Sequence, residues 1–160
     1  MTDNNRRRTL RSKFAHLVDQ SRPEYQHKQA MVFFVHVSDN LLAQSQLPLL
    51  SDELHRQVFA GYLFGMLQAY GRRLQMLEPT MLGIITALLT AKLGYNITAA
   101  DRFAQELIKA AEPDYRPAWH ALIARGDAGL SLWETQGMPA VSADLAGAVQ
   151  ALRQARKSGQ

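Results

Sequence analysis

Cysteine is absent from the 160 residues. That excludes disulfides, thiolate metal ligands and a thiol nucleophile, and it fits a reducing compartment. Long hydrophobic runs are missing as well. The most apolar stretch, residues 81–91, stops at Lys92, well short of the roughly 20 residues a membrane-spanning helix needs. The opening Met1-Thr2-Asp3-Asn4-Asn5 is polar and leads into Arg6-Arg7-Arg8, so no secretory signal is read there and a cytoplasmic location is expected. No Gly-x-Ser-x-Gly elbow occurs, and no glycine-rich phosphate loop follows a strand. Hydrolase and nucleotide-binding motifs therefore have no local support.

Apolar residues make up 47% and charged ones 20%, a composition that folds rather than one that stays disordered. The length suits one domain with a core large enough to need no metal or disulfide. The net charge of +4 belongs to the ends. Arg6, Arg7, Arg8, Arg11 and Lys13 lie at one end, and Arg153, Arg156 and Lys157 at the other. Removing these eight from 18 basic residues leaves ten in residues 14–152, against 13 acidic ones, so the body is mildly acidic. The basic ends read either as solvated tails or as contacts to an anionic partner.

Against those absences stands a rhythm of apolar segments, each opened by a capping residue or proline. Ser51-Asp52-Glu53, Thr98-Ala99-Ala100-Asp101, Pro117 and Ser142-Ala143-Asp144 mark four such starts. A Ser, Thr or Asp oxygen there accepts the orphan N–H groups of a first turn, and proline has none to lose. The spacing predicts a disordered basic segment at residues 1–8 and a single helical domain over 9–157. Helices are expected over 9–20, from Pro23 to a break at Pro48, and over 52–77, 80–93, 99–111, 118–135 and 143–156. Residues 31–37 have strand-like composition, but no second strand follows, so helix is expected there too. The fold class is all-α: a compact single-domain bundle of about six to seven helices. The 80–93 segment, apolar nearly all round, is expected to be central. Gly94 is expected to stop it in a left-handed conformation, and the apolar 52–77 helix offers a face for a homodimer.

Among candidate sites, Glu24-x-x-His27 puts a carboxylate and an imidazole on one helix face, but a di-iron bundle needs that motif twice. His36 and Asp39 have the same reach, and neither pair supplies the ligands zinc requires. Gly61-x-x-x-Gly65 reads as a close helix crossing or, with Tyr62 and Tyr70, as a pocket wall. Arg72-Arg73 are too few for a nucleic-acid groove. The densest run of unusual residues spans 114–133 and holds both tryptophans. Asp114, Tyr115, Trp119, Arg125, Asp127 and Trp133 are the candidate partner-binding residues, since Trp, Tyr and Arg dominate interface hot spots. The alternative is that the tryptophans anchor the core and Arg125–Asp127 is a local polar interaction. Gly126 between them suggests a bend or the close approach of another backbone.

Two stretches, Ala60-Gly61-Tyr62-Leu63-Phe64-Gly65 and Leu122-Ile123-Ala124-Arg125-Gly126-Asp127-Ala128-Gly129 with Trp133, resemble the all-helical immunity proteins of bacterial polymorphic toxin and type VI secretion systems. The resemblance implies a small cytoplasmic antidote that binds a cognate toxin and blocks its active site, with no cofactor and no catalytic residue. A mildly acidic body suits a basic, nucleic-acid-degrading toxin. The first expectation is thus a non-enzymatic toxin inhibitor with an acidic and aromatic surface, with neither membrane nor nucleic acid as its partner. The alternative is a ligand-sensing regulator with a pocket between the Gly61–Tyr70 face and the 80–93 helix. A third reading is an enzyme with a metal or acid–base site around His27, His36 or His120.

Overall fold

The computed structural model describes residues 22–44 and 52–159. The expected basic segment, the 9–20 helix and the break at Pro48 lie outside the described residues. Six helices and no strand occupy the described ones: α1 (Pro23–Gln44), α2 (Glu53–Arg73), α3 (Glu78–Lys92), α4 (Ile97–Ala110), α5 (Pro117–Gln136) and α6 (Met138–Ser158).

The helix starts follow the chemistry of the first turn. Asp52 caps α2, its carboxylate accepting from the His55 N–H at 3.2 Å. Pro117 opens α5, as expected. α4 is capped by Asn96, whose side chain accepts from the Ala99 N–H at 2.9 Å, so the helix begins before Thr98. The largest difference is at α6. Ser142 and Asp144 are not a cap there, because the helix already runs from Met138. Gly137, at φ +83°, ends α5 and starts α6 in one left-handed residue. Pro139 then fits the first turn, where its missing N–H leaves nothing unsatisfied. Gly94 has φ +74°, the expected stop after α3.

α2 lies at the centre. Every residue from Val58 to Leu67 is buried, and among the described helices α2 meets α5 over the most extensive interface. This corrects two expectations. α3 is not the central helix: Ile84, Ile85, Leu88 and Leu89 are buried on one face, while Gly83, Thr90 and Ala91 are exposed on the other. Its small residues made it look apolar all round without requiring burial. The apolar face of α2 is consumed within the chain, so it is not the dimer face expected of it.

Four glycines explain the α2–α5 packing. A Cβ at Gly65 would collide with the Ile123 carbonyl oxygen, and one at Gly126 with the Tyr62 carbonyl oxygen. A Cβ at Gly61 would stand 2.7 Å from Leu122 Cδ2, and one at Gly129 2.5 Å from the Tyr62 hydroxyl oxygen. Gly61 pairs with Leu122, Gly65 with Gly126, and Arg73 with Glu134. The positions advance together, so the two helices run parallel. Each helical glycine costs about 1 kcal/mol against alanine, which backbone-to-backbone packing along the crossing offsets. The Gly61–Gly65 pattern is therefore a helix crossing, and Gly126 marks close approach within a continuous helix.

Candidate functional site

The six candidate residues follow one another along α5 and the turn before it, and the structure divides them into three groups. The first is the corner between α4 and α5. Asp114 and Tyr115 are exposed in this turn, Tyr115 at 44%. The Tyr115 hydroxyl donates to Glu106 Oε2 at 2.9 Å and so ties the turn to α4. The Arg116 guanidinium lies 5.7 Å from the Tyr115 ring centroid, within cation–π reach. Trp119 is half-buried in the first turn of α5 and meets Phe103 edge-on at 5.8 Å. Beside Trp119 is a cavity of about 250 Å³, whose lining includes Gln57, Phe103, Glu106, Arg116 and Arg156.

The second group is Arg125 and Asp127, which do not interact locally. Gly126 faces α2, so its two neighbours flank the crossing on opposite sides. Arg125 donates from Nε and Nη2 to Asp144 Oδ1, both at 2.9 Å. The other Asp144 oxygen accepts from the Tyr62 hydroxyl at 2.8 Å. Burial, reinforced by this carboxylate, pushes the Tyr62 phenol far above its ordinary value. Asp127 instead accepts from Arg72 Nη2 with both oxygens, at 2.7 and 2.8 Å. An open groove of about 580 Å³ adjoins this pair, with Met76, Met81 and His120 on its walls.

Trp133 forms the third group. Its ring meets Phe33 edge-on at 4.9 Å, and Phe33 stacks on Tyr70 at 5.4 Å, so Trp133 anchors α5 to α1 and α2.

Among the described residues, the histidines form no cluster. His36 meets Asn40, whose amide is 3.2 Å from the ring Nε2, while Asp39 pairs with Lys92 at 2.8 Å, so the expected His36–Asp39 pair is not formed. His120 Nδ1–H donates to the Ala111 carbonyl at 3.0 Å. His55 is buried, and its Nε2 accepts from Arg153 at 2.6 Å, leaving Nδ1 without a partner. Its backbone N–H, with help from the Arg153 charge, holds the Asp52 carboxyl below its usual range. Among the described residues, no group of three His, Asp or Glu converges as metal ligands would, and none of the helices is long and apolar enough to cross a membrane. The pocket expected between the Gly61–Tyr70 face and α3 has no room on the glycine side, which the α5 backbone fills.

Sequence reading missed Tyr62, Asp144, Glu106 and Arg156 as parts of these arrangements. Tyr62 and Asp144 are 82 residues apart, and no local spacing signals such a pair.

A family model described as immunity protein 48 matches residues 27–153, well over half of the chain. The chain belongs to that family. No curated protein and no solved structure matches it.

Proposed function

We propose that this member of the immunity protein 48 family is an antidote that binds one cognate bacterial toxin and blocks its active site. The observation that carries the reading is the family match, which extends from α1 into α6. The corner between α4 and α5 is the proposed contact surface, with Asp114, Tyr115 and Trp119 at its centre. Tyr115 supports this choice as the exposed aromatic among the candidates, held by Glu106 in a fixed pose. A rigid aromatic presented with little entropy left to lose is a favourable anchor. Arg125, Asp127 and Trp133 shape the surface from behind, since each has a partner within the chain. Inhibition of this kind needs occlusion only, so no catalytic residue and no cofactor is assigned. The proposed setting is the cytoplasm of a cell that makes the toxin, including a type VI effector.

Co-expression with the toxin domain encoded beside the gene tests the reading. Restored growth together with a stoichiometric complex is the expected result. A cell that dies despite abundant folded protein overturns it.

A further inference from the structure

We infer that the cavity beside Trp119 is an anchor pocket for a single carboxylate side chain of the protein partner. The inference rests on the partner-binding reading and goes beyond it by naming the chemistry of the contact. Two guanidiniums reach the cavity from separate elements, Arg116 from the turn before α5 and Arg156 from the end of α6. Neither forms an ion pair among the described residues. Glu106, the acidic group in the lining, is already engaged by the Tyr115 hydroxyl at 2.9 Å and by Lys109 at 3.7 Å. The uncompensated charge at the cavity is therefore positive.

Guanidinium forks fit a carboxylate bidentately. The Phe103 and Trp119 rings suit the methylene stem of an Asp or Glu and shield the ion pair from water, which strengthens it. Size decides between a side chain and a small molecule. At about 250 Å³, the cavity falls below the roughly 300–1,000 Å³ that buries a drug-sized ligand, but it accepts one residue. Glu112 and Asp114, exposed on the adjoining turn, repel further acidic groups. The anchor is thus one carboxylate among neutral or basic neighbours, which agrees with a basic toxin.

The test is titration calorimetry with the neighbouring toxin domain. The variants are Arg116→Glu with Arg156→Glu, and Arg116→Gln with Arg156→Gln should the first pair melt early. The expected result is binding at least about 30-fold weaker, regained by Arg156→Glu when one toxin Asp or Glu is changed to Lys. Wild-type protein that does not bind the toxin removes the partner-binding reading and this inference with it. Tight wild-type binding that both variants keep within about threefold leaves the antidote reading standing and overturns the pocket. Weakened binding that no toxin carboxylate swap restores overturns the carboxylate assignment.

Discussion

The two ends of α5 use the same residue types for opposite purposes. From Arg125 onward its charged side chains are matched within the chain: Arg125 with Asp144, Asp127 with Arg72, and Glu134 with Arg73. At its beginning, Asp114 and Arg116 have no ion pair among the described residues, and Tyr115 is exposed. Charge that is satisfied internally fixes how helices sit against one another. Charge left open is available to a partner. Composition alone does not sort the two, since both ends hold an Asp, an Arg and a Trp.

The largest effect is expected at the crossing itself. Gly126→Leu drives a side chain into the Tyr62 carbonyl and is expected to destabilise the fold by at least about 3 kcal/mol. In a domain of this size that lowers Tm by roughly 6–12 °C, readable by thermal denaturation. A melting curve unchanged by this variant would remove the crossing as the framework.

Next comes Asp144→Ala, which strands the Tyr62 hydroxyl and the Arg125 guanidinium together. A loss of about 2–3 kcal/mol in urea denaturation is expected, whereas Tyr62→Phe should cost only about 1 kcal/mol. Equal costs would mean that the hydroxyl, and not the carboxylate, organises the contact. The same tyrosine gives a pH signature. Its folded value is raised above the ordinary 10.0, and burial, then Glu53, pushes Tyr95 up to about 12. A raised phenol stabilises the fold fully below its unfolded value. As pH climbs from 10 towards 12, the unfolded chain ionises first and stability falls. Tyr62→Phe with Tyr95→Phe should flatten that decline in denaturation curves taken across the window.

At the open end the same kind of change should act on binding instead. Tyr115→Ala is expected to weaken toxin binding by about 2 kcal/mol, near 30-fold, with Tm within about 2 °C of the parent. A large loss of Tm would move Tyr115 from the contact surface to the framework. The smallest effect belongs to Asp127→Asn. Its ion pair with Arg72 is partly exposed, and such pairs contribute about 1 kcal/mol or less, diminishing with salt. Urea denaturation at low and high salt measures it.

What the sequence disclosed follows the range of the interactions. Asp52 as a cap, Pro117 as a first-turn residue and Gly94 as a stop are local events, and all three were legible. Gly61, Gly65 and Gly126 were legible as close-approach positions because glycine in mid-helix demands a reason, though the identity of the neighbour was not. Ser142 and Asp144 misled because a serine with an acidic residue two positions on imitates a helix start, while Gly137 had already turned the chain. Arg125 and Asp127 looked like partners because one residue separates them; their true partners lie on α6 and α2. The Trp119 cavity draws residues from four helices and a turn, an assembly that neighbouring letters do not encode.

The parallel course of α2 and α5 has a consequence in time. Two parallel helices cannot be joined by a short turn, and here α3 and α4 fill the interval, so Gly65 meets Gly126 across about sixty residues of chain. Local hairpins such as α3–α4 and α5–α6 close small loops and are expected to form early. The glycine seam must wait for a large loop to close. A defect in that seam should therefore speed unfolding more than it slows folding. For such a variant, the lifetime of the native state would shorten before its rate of formation changed.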